Sequence, residues 1–199
     1  MLTPLDVSPD GSLVAYVVQD TNRKALTKAP RSLQELERDG IPLRADHCDI
    51  WISDTATTVS KNLTQGHGTS WAPVWSPNGR YLAFYSDRDG LPALWLWEKA
   101  SRSVRKASNA IVRTRTETSV PRWTADSKKL VIRVLPKGMT IGEAEALLDK
   151  PITENHTTAD ANKEPGSTVV VFSSKAAGGA PNKKEPAGAN YLAYAGDLA

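Results

Sequence analysis

The chain has 199 residues, 40% of them hydrophobic, which is enough apolar material to bury a core as one domain or as a piece of a larger one. Its 25 Lys and Arg against 22 Asp and Glu leave a net charge of +3, and the basic residues are scattered rather than striped, so nothing points to nucleic acid as a partner. A single cysteine, Cys48, excludes an internal disulfide framework and a cysteine-based zinc cluster, and no apolar run approaches the ~18 residues of a membrane span.

The N-terminal MLTPLDVSPDGS lacks the basic-then-apolar order of a secretory signal. The first strand signal falls within the first dozen residues, so the natural start is expected upstream of Met1, and no compartment is assigned. That signal is VSPDGSLVAYVV, from Val7 to Val18: a turn followed at once by a short apolar run. In Ser8-Pro9-Asp10-Gly11 the proline presets φ, the aspartate accepts a local backbone hydrogen bond, and the glycine tolerates positive φ. Residues 21–46 are polar and form an insertion in which only SLQELER has helical character. A strand, Asp49-Ile-Trp-Ile-Ser-Asp54, follows, with Trp51 at its centre.

The turn-strand unit returns as WSPNGRYLAFYS, with Trp75, Ser76, Pro77, Asn78 and Gly79, and a second tryptophan strand, ALWLWE, carries Trp95. A third copy, WTADSKKLVIRV, starts at Trp123 and has lost both proline and glycine. It is read as a third repeat, with a looser turn or a chance likeness as the alternative. Ser8, Ser76 and Thr124 are 68 and 48 positions apart, and a period near fifty fits a repeat array. Strand alternation puts Tyr81, Ala83 and Tyr85 on one face and Leu82 and Phe84 on the other, so both faces are apolar, as in a strand held between neighbouring sheets. A second insertion, about 136–166, contains IGEAEALLDK, a short helix by propensity, before a strand at Ser167–Ser174. The small, polar AAGGAPNKKEPAGA then leads to 188–199, where the strand of a further blade is expected to start.

The predicted architecture is therefore all-β: a partial β-propeller of about three to four blades of antiparallel strands, with two polar insertions containing short helices. The blade units are about 5–65, 69–108 and 117–178, with 188–199 starting another, and the insertions are about 21–46 and 136–166. A β-sandwich with compositionally similar hairpins is the alternative architecture. An open stack would expose sheet faces and edges, so such a fragment is expected to self-associate when made alone.

The residues VSPDGSLVAY, DIWISD, KNLTQG, APVWSPNGRYLAFYSDRDG and ALWLWE resemble the N-terminal propeller of prolyl oligopeptidase family serine peptidases, in particular the dipeptidyl and acylaminoacyl peptidase branches. The same blade motif occurs in TolB-like propellers. The resemblance covers residues 5 to 135 well and the rest weakly. It implies a propeller that caps an α/β-hydrolase domain of the same parent chain and admits short peptides to a Ser/Asp/His triad. It also admits a rival, a TolB-like propeller acting as a protein-binding scaffold.

No G-x-S-x-G nucleophile elbow occurs, so no catalytic residue is assigned, and no cofactor is expected. His47, His67 and His156 sit at no metal-ligand spacing, and alternation along Asp46-His47-Cys48 separates the histidine from its neighbours. Glu35 and Glu37 are weak candidates to bind a substrate ammonium, by analogy with the acidic propeller segment of dipeptidyl peptidases. A solvated helix face is the simpler reading of that pair. Arg88 in SDRDG is expected to order its own turn with Asp87 or Asp89. Trp51, Trp75, Trp95 and Trp123 are read as packing residues at repeated positions, with Trp71 and Trp97 unassigned.

Overall fold

A computed structural model of the chain describes residues 5–22, 41–42, 45–113, 120–135, 139–140, 142–143 and, as backbone alone, 192–197. Strands β1 (Leu5–Val7), β2 (Leu13–Gln19), β3 (Cys48–Asp54) and β4 (Ser60–Asn62) form one antiparallel sheet in chain order. The second sheet repeats that arrangement with β5 (Ser70–Trp75), β6 (Tyr81–Ser86), β7 (Ala93–Glu98) and β8 (Val104–Lys106). The third joins β9 (Arg122–Trp123), β10 (Lys129–Val134) and β11 (Leu192–Asp197).

The second sheet is covered on both faces, because its strands are apolar on both. Leu82, Phe84, Ala93, Trp95 and Trp97 pack with Ala15, Ile50 and Ile52 of the first sheet. Ala83, Tyr85, Leu94 and Leu96 pack with Leu130, Ile132 and Val134 of the third. A sandwich has a single interface between two sheets, whereas here one sheet lies between two others. Among the described residues this stack is a partial propeller, with two four-stranded blades and a third sheet. Fully burying a side chain such as Leu82 or Phe84 contributes roughly 1.5–3 kcal/mol, so the middle strand β6 stabilises both interfaces at once.

One irregularity explains the position of Trp71. Along β5 and β6, Trp71 pairs with Tyr85 but Val74 pairs with Ala83, so β5 carries one additional residue, a β-bulge. Ala72 takes positive φ (55°) there, next to Pro73, which has no N–H to give the ladder. The extra residue reverses the alternation. Trp71 therefore faces the third sheet, tilted against Tyr85 at 5.9 Å, while Trp75 faces the first, edge-on to Trp97 at 5.9 Å.

The third sheet corrects one expectation. Leu192–Asp197 pairs along the whole of β10, from Lys129↔Asp197 to Val134↔Leu192, and so is the third strand of this sheet rather than the start of a further blade. Hydrophobic alternation marks a segment as a strand without saying which edge it will join, and here a long insertion separates the partners. The expected strand Ser167–Ser174 lies outside the described residues, as do SLQELER and most of IGEAEALLDK. Gly142 and Glu143 have helical backbone, and Thr140 precedes them as a capping box. Glu143 Oε2 accepts the Thr140 N–H at 2.8 Å, while Thr140 Oγ1 accepts the Glu143 N–H at 3.2 Å.

Candidate functional site

Strand direction sorts the connections between two ends of the stack. The links β1–β2, β3–β4, β5–β6, β7–β8 and β9–β10 all lie at one end, and each is five residues long. At the other end lie β4–β5 (63–69), β6–β7 (87–92) and β8–β9 (107–121), together with the two long connections 20–47 and 135–191. Both predicted insertions thus leave from the same end. Glu35 and Glu37 belong to the first of these connections and lie outside the described residues.

At the short-turn end the three repeat turns share one hydrogen-bond pattern. Ser8 Oγ donates to Asp10 Oδ1 at 2.6 Å and accepts the Leu13 N–H at 2.9 Å. Ser76 does the same with Asn78 Oδ1 (2.8 Å) and Tyr81 N–H (3.0 Å), and Thr124 with Asp126 Oδ1 (2.5 Å) and Lys129 N–H (3.0 Å). Pro9 and Pro77 occupy the second turn position. Gly11 and Gly79 take φ of 69°, and Ser127 takes 61° at the equivalent place, so the third copy closes as the others do. The Lys99 ammonium first, then the Ser8 and Ser12 hydroxyls, hold the Asp10 carboxyl well below the ordinary carboxylate range.

These turns also join the sheets. Lys99 Nζ reaches Asp10 Oδ2 at 2.7 Å, and the Asn78 N–H donates to Ser127 Oγ at 2.9 Å. On the inner strands the Trp75 N–H donates to Asp6 Oδ2 at 2.6 Å. Trp123 Nε1 donates to the Val74 carbonyl at 3.1 Å, with its ring stacked on Tyr81 at 6.3 Å. Trp123 therefore spans the second and third sheets. Trp51, half-buried, lies opposite Tyr16 and Asn62 in the first sheet.

The loop end is organised by a buried carboxylate. Asp49, only 3% exposed, accepts from Thr64 Oγ1 (2.6 Å), Gly66 N–H (3.0 Å) and Asn62 Nδ2 (3.1 Å). Burial of a charge without such donors would be costly, so Asp49 and the loop 62–66 require one another. The Arg88 side chain reaches beyond its own turn. Its guanidinium lies over the Trp95 ring at 5.1 Å, and Nη2 donates to the Thr64 carbonyl at 3.3 Å, linking the second blade to the loop of the first. Burial pulls the Arg88 guanidinium below its usual range, against the opposing charges of Asp89 and Asp49. Sequence reading missed this bridge because its parts are 24 positions apart and neither is unusual alone.

His47 Nε2 lies 3.4 Å from Asp46 Oδ2, and Cys48 is buried. Among the described residues no group of three or more His, Cys, Asp or Glu is arranged to hold a metal ion. What the described side chains do chemically is lock loops and sheets together. Two clefts open at the short-turn end: one of about 500 Å³ between the turns at Pro9 and Pro77, and one of about 530 Å³ bordered by Leu13, Val59 and Trp97.

No family model matches the chain. It is 30% identical over 154 residues to the uncharacterized peptidase YuxL of Bacillus subtilis, a match that covers 77% of this chain and 19% of that protein. The chain thus spans about a fifth of the length of that relative. Among solved structures it is similar to TolB from Acinetobacter baumannii, at 19% identity and a TM-score of 0.45 over 69% of this chain and 28% of that one. It is also similar to the acylaminoacyl peptidase of Pyrococcus horikoshii, at 20% identity and a TM-score of 0.41 over 69% of this chain and 18% of that one. The chain resembles both peptidase and TolB propellers, as its blade motifs imply.

Proposed function

We propose that this chain is the non-catalytic propeller part of a longer serine-type peptidase. Its loop-bearing end gates or positions peptide substrate for an α/β-hydrolase domain of the same parent chain. The observation that carries the reading is the asymmetry of the stack: five-residue turns at one end, and both long connections, 20–47 and 135–191, at the other. Long connections at one end of a rigid scaffold are where binding surfaces are commonly built. The 30% identity to a peptidase, of which this chain spans 19%, supports the choice of activity for the parent protein.

Selection by size follows physically if the propeller obstructs the route to the active site. The test uses the parent protein, with residues 23–40 replaced by a short Gly-Ser linker, on aminoacyl chromogenic substrates, longer peptides and a folded protein. The expected result is unchanged turnover of the small substrate and an altered kcat/KM for the longer peptides. Unchanged selectivity across all lengths would overturn the gating role. A parent reading frame without a G-x-S-x-G elbow and later Asp and His would overturn the peptidase reading and favour the protein-binding scaffold.

A further inference from the structure

The cleft of about 530 Å³ at the short-turn end lies between the first and second blades, where their apolar interface meets solvent. Leu13, Ile52, Leu63 and Trp97 line its apolar part. Its rim carries Lys61, Lys99 and Arg102 against one carboxylate, Asp54. That carboxylate is already committed, since Oδ1 accepts the Ala56 and Thr57 N–H groups at 3.0 and 2.8 Å. Lys99 is shared with Asp10 at 2.7 Å. The cleft therefore combines an apolar wall with an excess of positive charge.

Comparison of the two blades separates what the repeat needs from what this cleft adds. The turn after β3 closes with the Asp54 N–H on the Val59 carbonyl (3.0 Å), and the turn after β7 with the Glu98 N–H on the Ser103 carbonyl (3.0 Å). Val59 and Ser103 are thus equivalent, and the turn forms with a serine there. Val59 is nonetheless 67% exposed, at the cleft rim. Thr58 and Arg102 are equivalent in the same way, both with positive φ (59° and 55°), and at that position the second blade presents a guanidinium to the cleft.

We propose that this cleft is a docking site for an acidic, aliphatic stretch of a partner polypeptide. An aliphatic side chain would cover Val59 and Leu63, and flanking carboxylates would meet Lys61 and Arg102. Burial of apolar surface would supply affinity, while the charges would select the partner and speed its encounter. This inference does not depend on the peptidase reading.

The test is fluorescence anisotropy on the full 199-residue chain, with a fluorescein-labelled, C-terminally amidated hexapeptide of alternating glutamate and leucine as the probe. Saturable binding that weakens as salt is raised is expected, with at least tenfold weaker binding of the corresponding lysine–leucine and glutamate–serine peptides. The double variant Lys61→Glu, Arg102→Glu is expected to lose at least tenfold in affinity, and Val59→Asp a similar factor. Each variant is checked for an unchanged thermal melt, and Lys61→Gln alone serves as a milder probe if the double variant does not fold. Absence of saturable binding, equal binding of the lysine peptide, or affinity unmoved by these substitutions would overturn the proposal and leave the peptidase reading untouched.

Discussion

The third repeat turn offers a quantitative test of how the blades are joined, because Ser127 stands where the other two copies have glycine. A non-glycine residue at φ 61° costs on the order of 1 kcal/mol, so restoring glycine should relieve about that much. Ser127 Oγ, however, accepts the Asn78 N–H at 2.9 Å from the neighbouring blade, and the residue is buried. Removing that acceptor leaves an amide without its partner, at a cost of about 1–3 kcal/mol. Ser127→Gly should therefore destabilise by roughly 0–2 kcal/mol despite matching the repeat. Ser127→Ala keeps the strain as well and should be worse than the glycine variant by about 1 kcal/mol.

Gly79→Ala isolates the strain. A Cβ there meets nothing closer than Pro9 Cδ at 3.6 Å, an ordinary contact, so the loss should be about 1 kcal/mol with no bond involved. Thermal and urea melts of the four proteins would resolve the series, since 1 kcal/mol moves the Tm of a chain this size by about 2–4 °C. The expected order is wild type, then Ser127→Gly, then Ser127→Ala. A higher Tm for Ser127→Gly than for wild type would refute the claim that this turn acts as a cross-blade link.

Two further outcomes test the packing. In Gly68→Ala the new methyl would fall onto Asp87 Oδ1 and lie 2.8 Å from the Arg88 backbone, at φ 68°, so denaturant melts should show a loss of several kcal/mol, beyond the ~1–3 typical of overpacking. Tyr85 is fully buried, and its hydroxyl has no partner among the described residues. Tyr85→Phe should therefore be neutral or slightly stabilising at pH 7. Burial also raises the Tyr85 phenol above its ordinary range. That stability is fully present below the unfolded-state value near 10 and is lost as pH climbs toward the folded value. Tyr85→Phe should flatten the alkaline limb of a stability–pH curve, and an unchanged limb would show that Tyr85 does not contribute to it.

The features legible in the sequence are those whose physics is local. In each repeat turn the Ser or Thr hydroxyl bonds to a carboxyl or amide two residues on and to an N–H five residues on, so the whole device fits in one window. The doubly apolar β6 was legible for the same reason, because alternation alone assigns Leu82 and Phe84 to one neighbour and Ala83 and Tyr85 to the other. The bulge at Ala72 was hidden, since one added residue leaves the pattern of large residues intact while reversing which way Trp71 points. The Asp49 network and the Arg88 bridge were hidden by distance along the chain, their partners standing 13 to 24 positions away. The pairing of β11 was hidden by a longer separation still.

A repeated scaffold makes departures from the repeat readable as choices. Asp49 and Ala93 occupy equivalent, buried positions five residues before Asp54 and Glu98, which open the same turn. Alanine there needs no partner, whereas a buried aspartate requires donors, and the first blade provides them from Asn62, Thr64 and Gly66. The second blade then returns Arg88 to the Thr64 carbonyl of that same loop. The polar connection is placed at the end where residues 20–47 leave and rejoin the first sheet. An apolar contact would tolerate sliding of one blade over the next, but directional hydrogen bonds fix their relative position. Rigidity at the root of a long connection is what would position a binding segment, so these two departures from the repeat reinforce the end to which we attribute peptide positioning.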